Sequence, residues 1–509
     1  MTSSQSTLYQ PKTALDVLKI PVIGKILRWR YGRLIFQIPL FLIAVLLIYD
    51  GFTGPQLASQ NLATVLPWVH YRGLVVVALL VAGNLFCMGC PFTVTRGLAK
   101  RLNRTQRRFP RVLRNKWLSI AGLLGLFFLY EWMNLWSSPA LTAWVIVAYF
   151  VASFTLELMF TESAFCKYVC PLGAFNFVYS TVAPTQITAQ NLNICQTCVG
   201  KECVNGSYNP TPLILIDQIG INGQPDKTHS HGPTGVLGCG TQLFAPQIKS
   251  NMDCMLCLDC VRACPHDNIA LAIRTPGREL FDPEAWPKRW DFSLLFVFLS
   301  FMALVNAFGM IPPVYDLIQG LAEGLQLKAL GFSDAATEGV VLFLLFALGS
   351  IILPLGLVLL AAWLTQHLSR TTEKYSLRQT VGFFAPIFVP IGLGIWIAHY
   401  GFHFLIGVYS IVPVFQTFLI DHGITLLGQS PNWTLTGVDE SITGLVQMVA
   451  LLGGTFGSFF VAQWIARHIY GKQQFTALLT WAFLILLMSY TALQIFSQPM
   501  EMRGTLMFN

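Results

Sequence analysis

The stretch Ala140–Phe175, ALTAWVIVAYFVASFTLELMFTESAFCKYVCPLGAF, joins an apolar run to a pair of cysteines. The run Ala140–Phe160 has the length of a membrane-spanning helix, which needs about 20 predominantly apolar residues. Cys166 and Cys170 follow, and Pro171 comes directly after the second cysteine. The stretch therefore predicts a membrane helix whose end carries two thiols, which are metal ligands, a redox-active pair or inert core residues.

The composition of the whole chain indicates the same fold class. Of its 509 residues, 54% are hydrophobic and 11% are charged, and the mean hydropathy is +0.58. Soluble proteins average about 25% charged residues, so a soluble protein is excluded. We predict an all-α polytopic membrane protein. For the 402–420 stretch three interpretations stay open: an extension of the preceding helix, an interfacial segment or a re-entrant segment. The chain contains about nine predicted spans: Leu34–Asp50, Trp68–Met88, Trp117–Asn134, Ala140–Phe160, Phe292–Ile311, Val340–Gln366, Phe383–Gly407, Gly444–Ala466 and Phe475–Phe496.

The distribution of positive charge predicts the orientation of these spans. Nine Lys and Arg residues lie between Arg96 and Lys116, whereas the loops 51–67, 135–139 and 408–443 contain none. Cytoplasmic loops carry the excess of Lys and Arg, so the N-terminus is expected in the cytoplasm and the C-terminus outside. The net charge of +8 is thus a signal of topology and not of nucleic-acid binding. No cleavable signal peptide is expected, because the first residues lack an apolar core.

This orientation gives a domain organisation. We predict a cytoplasmic N-terminal segment (1–33), a four-helix membrane domain (34–184), an inserted cytoplasmic domain (185–289) and a C-terminal membrane domain of about five helices (290–509). All twelve cysteines lie between Cys87 and Cys264. Disulfides are disfavoured in the reducing cytoplasm, so this segregation points to metal ligands.

The strongest motif is Cys254-Met-Leu-Cys257-Leu-Asp-Cys260-Val-Arg-Ala-Cys264-Pro265. Its C-x2-C-x2-C-x3-C-P spacing is that of bacterial ferredoxins, in which the fourth cysteine ligates a second cluster. The inserted domain is therefore predicted to be ferredoxin-like, with two [4Fe–4S] clusters. Zinc is the alternative metal. For Cys239, which lies outside this run, a free thiol is the alternative to a cluster ligand. The paired His229 and His231 of the Val204–Leu237 insertion are interpreted as part of a solvated loop. The predicted ligands are Cys195, Cys198, Cys203 and Cys264 for one cluster, and Cys239, Cys254, Cys257 and Cys260 for the other.

Two Phe-Cys…Cys-Pro elements end the two predicted membrane hairpins. The first contains Cys87 and Cys90, and the second contains Cys166 and Cys170. The charge distribution places both at the cytoplasmic end of the spans, where four thiolates would complete a site for a cluster or for a single iron or zinc ion. Inert thiols and a redox-active dithiol are the alternatives.

The segment Cys166–Ala174, the second Cys-Pro element and the two-cluster ferredoxin pattern together resemble the membrane polyferredoxins, the NapH-, NosR- and CcoG-like iron–sulfur proteins. The resemblance covers roughly residues 30–290. It implies an electron-transfer subunit or an accessory factor of a redox-enzyme system in the cytoplasmic (inner) membrane.

His399 and His403 are the candidate ligands of the C-terminal spans. Their i, i+4 spacing places them on one face of a helix, and buried histidines within a membrane are usually functional. A metal ion, a quinone or a b-type haem would use them, with His422 as a candidate second haem ligand. Two histidines hydrogen-bonded inside the bundle are the alternative. Glu157 is predicted to lie deep in its span as a buried partner or a proton-carrying group.

These features predict a redox relay. The chain has no nucleophile–base pair and no phosphate-binding loop, so we do not expect substrate chemistry of its own. The expected function is electron transfer between cytoplasmic [4Fe–4S] clusters and the quinone pool or a membrane redox complex, with a soluble donor or acceptor as a further partner. Metal-cofactor maturation or metal-ion reduction is the alternative, and a zinc-stabilised membrane anchor is the third hypothesis.

Overall fold

The computed structural model describes residues 15–103, 107–207, 235–282, 284–285 and 288–500. The described chain is mostly helical and contains one two-stranded sheet. This confirms the predicted all-α class. His229 and His231 lie outside the described residues.

The apolar helices make the chain a membrane protein. By length and composition, seven helical segments of the described chain are able to cross a membrane, compared with about nine predicted spans. The difference arises because the last segment runs through the final two predicted spans, and because Trp117–Trp132 is shorter than a full span. The seven segments are Gly32–Thr53, Leu62–Ala82, Pro139–Met159, Trp290–Phe308, Asp334–Leu368, Leu377–Gly407 and Glu440–Phe496.

Local turns divide the longest segments. Gly471, which has a positive φ (54°), separates the helices Glu440–Ile465 and Gln474–Phe496, and glycine adopts this conformation without the penalty that a Cβ imposes. The 402–420 stretch divides into the end of Phe388–Gly407 and a separate helix, Ile411–Asp421. The other helices are Pro21–Arg28, Leu85–Met88, Arg96–Leu102, Pro171–Tyr179, Leu192–Thr197, Glu202–Asn205, Asp259–Ala263 and Pro313–Gly324.

The chain forms two compact units. The first comprises Met1–Leu42, Ala78–Arg114 and Phe150–Trp286, and the second comprises Ile43–Val77, Asn115–Tyr149 and Pro287–Asn509. The predicted membrane domain 34–184 is thus divided between the two units. All twelve cysteines belong to the first unit, and both candidate histidine ligands belong to the second.

Small residues bring two helices of the second unit together. A side chain at Gly394 would lie 2.5 Å from the carbonyl oxygen of Ala450, and 3.2 Å from the Cα atom of Gly454. Nearby, the Ser458 hydroxyl donates to the carbonyl of Ile387 at 2.6 Å. Close backbone approach and interhelical hydrogen bonds are the usual sources of helix association in a bilayer.

The sheet of the first unit connects the two halves of the cysteine-rich segment. Thr185–Ala189 pairs antiparallel with Ile269–Ile273. The first strand precedes Cys195, and the second follows Cys264, so their pairing brings these distant positions to one end of the sheet. The N-terminal segment adds to this sheet, because the amide of Ile273 donates to the Leu15 carbonyl at 2.8 Å.

Candidate functional site

The first cysteine group lies beside the sheet. It comprises Cys195, Cys198, Cys203 and Cys264. Burial and the three other thiols of the group, which lie near enough to act on it, raise the pKa of Cys203 to about 12. Asn268 joins the two ends of the group, because its side-chain amide donates to the Cys195 sulfur at 3.1 Å and its backbone amide to the Cys264 sulfur at 3.5 Å. The structure therefore brings together the four ligands predicted for one cluster.

The second cysteine group is the C-x2-C-x2-C run together with one distant thiol. It comprises Cys239, Cys254, Cys257 and Cys260. Burial raises the pKa of Cys260, and the three other thiols of the group raise it further. The amide of Leu243 donates to the Cys239 sulfur at 3.3 Å, and the amide of Cys239 donates to the Cys203 carbonyl at 2.9 Å. This backbone bond fixes Cys239 of the second group against Cys203 of the first group.

The backbone of the second group has an unusual conformation. Leu256 and Leu258 have φ values of 53° and 59°, a region that bulky residues rarely occupy. Both side chains are buried in the apolar core that also contains Cys260 and Cys264. Left-handed residues of this kind occur in turns whose successive amides bind anions, a geometry that recurs at iron–sulfur sites.

The third group unites the two Cys-Pro elements. It comprises Cys87, Cys90, Cys166 and Cys170. Burial raises the pKa of Cys166, and Glu157 and the three other thiols of the group raise it further. Burial also raises the pKa of Cys87 to about 12 and that of Cys90 to about 11. The Asn176 amide donates to the Cys87 sulfur at 3.4 Å, so the two elements contact each other as the sequence predicts.

The structure explains why Pro171 and Gly173 follow Cys170. Pro171 begins the helix Pro171–Tyr179, a position where its missing N–H leaves no hydrogen bond unmade. The Gly173 amide donates to the Cys170 sulfur at 3.2 Å. A side chain at Gly173 would lie 2.9 Å from the Cys166 carbonyl, so glycine permits this close approach.

A buried ion-pair network surrounds the second and third groups, and Glu157 is the member of it that was predicted from the sequence. Asp259, within the ferredoxin-like run, pairs with Arg96 at 2.5 Å and with Arg262 at 2.9 Å. Glu157 pairs with Lys100 at 2.6 Å, in agreement with the buried partner predicted for it. Burial alone would raise the pKa of Asp259, but the surrounding guanidinium groups hold it well below its usual value. Asp259 therefore stays ionised.

The three groups are contiguous within the first unit. Cys203 of the first group lies near enough to Cys260 of the second to raise its pKa. The Asn84 amide, next to the first Cys-Pro element, donates to the Cys254 carbonyl at 3.0 Å. The second group therefore lies between the other two.

The donor set fits iron–sulfur ligation in its chemistry. All twelve cysteines are free thiols, and thiolates are the ligands that iron–sulfur clusters and zinc prefer. In the described residues, no three or more His, Cys, Asp or Glu side chains are already arranged to hold a metal ion. Thiols with raised pKa values are protonated at neutral pH, and metal ligation replaces those protons. Six of the thiols are buried and six are half-buried, and amide groups donate to several of the sulfurs, so four thiols per group suit a bound cluster.

The candidate histidines of the second unit contact each other. The Nε2 atoms of His399 and His403 lie 3.2 Å apart, and both rings are buried. His422 instead contacts the Tyr49 hydroxyl at 3.0 Å and the Phe418 carbonyl at 2.7 Å. Two histidines joined by a hydrogen bond match the alternative in which these rings stabilise the helix bundle. Their role as metal ligands remains a prediction.

Arg72 is a buried residue of the second unit that sequence reasoning missed. Its guanidinium lies 4.7 Å from the Trp68 ring centre, 4.5 Å from that of Tyr130 and 5.2 Å from that of Tyr400. Such cation–π contacts stabilise a desolvated guanidinium by about 2 kcal/mol. The surrounding aromatic rings thus offset part of the desolvation cost of a charge inside an apolar span.

The comparisons with known proteins identify no relative. No protein-family model matches the chain, and no curated protein and no solved structure matches it.

Proposed function

We propose that the chain is a membrane-bound iron–sulfur protein of the polyferredoxin type. In this proposal it relays electrons between cytoplasmic [4Fe–4S] clusters and the quinone pool or a membrane redox partner. The observation that carries the proposal is that the twelve cysteines form three contiguous groups of four within one compact unit. Clusters bound there would supply the ability to accept and release single electrons.

The surroundings of the thiols suit this role. Burial of the thiols of the second and third groups excludes water, which lowers the reorganisation that accompanies a change of charge. Hydrogen bonds to the sulfurs, net charge and solvent exposure are the factors that set the potential of a cluster. Asn176 and Gly173 supply such bonds in the third group, and Asn268 supplies them in the first.

The local charge also favours anionic groups. Arg33, Arg96 and Arg262 surround Asp259, and Lys100 pairs with Glu157. Four cations and two carboxylates leave an excess of positive charge beside the second and third groups. A centre held by four thiolates is negatively charged, so this excess would stabilise it.

We further propose that the first unit faces the cytoplasm of the inner membrane. The proposal rests on the clustering of Lys and Arg between Arg96 and Lys116 and on the positive-inside rule. Fusion of a reporter that is active on only one side of the membrane, placed after residue 289, tests the orientation. Reporter activity on the outer side would contradict it.

Analysis of anaerobically purified protein tests the function. We expect iron and acid-labile sulfide, together with interacting [4Fe–4S] EPR signals in a potentiometric titration. Cys257→Ser should remove the signal of the second group, and Cys198→Ser that of the first. Met255→Leu, which changes a buried neighbour of the run but no ligand, is the matched control. Zinc without acid-labile sulfide would favour the anchor hypothesis and overturn the redox function.

A further inference from the structure

We infer that Arg33 places one positive charge between the second and third cysteine groups, an arrangement called the bridge below. This charge makes reduction of the metal centres that both groups would hold easier. This inference rests on the proposed function. It concerns a positioning residue, because Arg33 contacts the backbone and side chains that carry the cysteines.

On one side, Arg33 holds the first Cys-Pro element. Its Nε atom donates to the Met88 carbonyl, between Cys87 and Cys90, at 2.8 Å. One of its terminal nitrogens donates to the Thr93 hydroxyl at 2.8 Å, and that hydroxyl donates to the Cys90 carbonyl at 3.0 Å. The guanidinium is thus fixed against the loop that carries two thiols of the third group.

On the other side, Arg33 faces the ferredoxin-like run. Its second terminal nitrogen lies 3.9 Å from the carboxylate of Asp259, the residue next to Cys260. Both side chains are about nine-tenths buried, with exposures of 10% and 11%. Screening by water is weak at such a position, so the charge of Arg33 acts on both groups.

The charge of Arg33 lies close to the ligands of both groups. It is fixed against the loop that carries Cys87 and Cys90, and it faces Asp259, the neighbour of Cys260. A cation that favours the anionic form of the sulfurs also favours an added electron on a centre that they hold. Loss of the charge should therefore make reduction harder at both groups.

Arg262 provides a matched comparison. It pairs with the same carboxylate, Asp259, at 2.9 Å. Its other hydrogen bonds reach the carbonyls of Leu27 and Cys257, on the side of the second group. Arg33→Gln and Arg262→Gln remove the same charge from the same ion pair, but only the first removes a contact with the Cys-Pro element.

The test is a potentiometric EPR titration of the full-length protein. Cys166→Ser and Cys257→Ser assign the signals to the third and second groups. A unit charge about 10–12 Å from a centre, at an effective dielectric constant of about 20, changes the reduced-to-oxidised ratio about tenfold at a fixed potential. We expect Arg33→Gln to lower this ratio about tenfold at both groups. Arg262→Gln should lower it at the second group and change the third by less than about twofold.

The outcomes separate this inference from the proposed function. Wild-type protein without cluster signals overturns both. Wild-type signals that Arg33→Gln leaves unshifted, or shifts at one group only, overturn the bridge alone, as does a third group that is redox-silent. If Arg33→Gln loses its clusters on purification, the same titration is run on unpurified membranes that contain the variant.

Discussion

Asp259→Asn tests whether the buried charges hold the cysteine-bearing segments of the first unit together. The carboxylate is shared by Arg96, Arg262 and Arg33. Removal of one partner from a buried ion pair costs about 3–5 kcal/mol, because the remaining charge is left desolvated and uncompensated. The substitution changes one oxygen to an amide group, so packing volume is nearly constant and the effect reports charge.

The structure places the expected cost at the lower end of that range. Arg96 keeps a second carboxylate, Glu157, at 3.9 Å. Arg33 keeps its bonds to Met88 and Thr93. We therefore expect about 3 kcal/mol of lost stability. For a unit of roughly 200 residues, this corresponds to a fall in Tm of about 6–12 °C.

The assay is thermal unfolding in detergent under anaerobic conditions, with Glu284→Gln as the control. Glu284 forms an exposed pair with Lys249 at 2.6 Å, and exposed pairs contribute about 0–1 kcal/mol. The pH dependence gives a second test. The pKa of Asp259 is depressed on folding, so its contribution is complete above the ordinary value of 3.8 and is lost only as the pH falls below it. The difference between wild type and variant should be constant from pH 8 to pH 5.

Two results would refute this reasoning. A Tm change no larger than that of the exposed control would show that the pairs contribute no net stability, as happens when desolvation cancels attraction. A difference that disappears between pH 7 and pH 5 would show that the carboxyl group titrates there. The guanidinium groups would then not be holding its pKa down.

Three further substitutions or conditions have definite expectations. Gly240→Ala would place a methyl group 2.6 Å from an Arg96 nitrogen, so we expect a loss of about 1–3 kcal/mol and a weaker cluster signal in the second group, measured by Tm and EPR. Gly173→Ala crowds the Cys166 carbonyl and should lower the iron content of the third group, measured by metal analysis against the EPR signal of the first group. Alkaline pH should destabilise the cluster-depleted protein in particular. Burial raises the pKa of Cys203 from 9.0 to about 12, so the stability that this thiol contributes is complete below pH 9 and is lost as the pH rises towards 12. Ligated thiolates carry no such proton, and an equal alkaline loss in loaded and depleted protein would contradict the ligand prediction.

The membrane spans were predictable because their signal is local. In a bilayer, backbone polar groups must be satisfied within the helix, so length and hydropathy alone locate most spans. The differences occur where tertiary contacts decide the outcome. Trp117–Trp132 ends before a full span, and Ile411–Asp421 forms a helix of its own. Apolar composition does not by itself encode the residue at which a helix stops.

The cysteine groups show a similar limit. Spacing within the run Cys254–Cys264 fixes which thiols share a loop, and the sequence predicted that much. The position of Cys239 depends on a backbone bond to Cys203, formed across an insertion that spacing cannot measure. Tertiary contacts also explain why glycine follows Cys239. The carbonyl of Gly240 accepts a hydrogen bond from the backbone amide of Ser163, and a side chain at this position would collide with Arg96. Both neighbours are distant in the sequence.

The stretch Ala140–Phe175 is linked by ion pairs to the cationic segment Arg96–Lys116, which precedes it in the chain. Glu157 is the one carboxylate of its span, and its partner is Lys100, from the cationic loop that also carries the topological signal. Arg96, at the start of the same loop, links Glu157 to Asp259 in the ferredoxin-like run. The positive-inside rule counts these cations as loop charges. In the structure they are instead paired with carboxylates that lie beside the cysteine groups. Under the proposed orientation and function the same side chains would serve both, so we expect a change that removes them to disturb both.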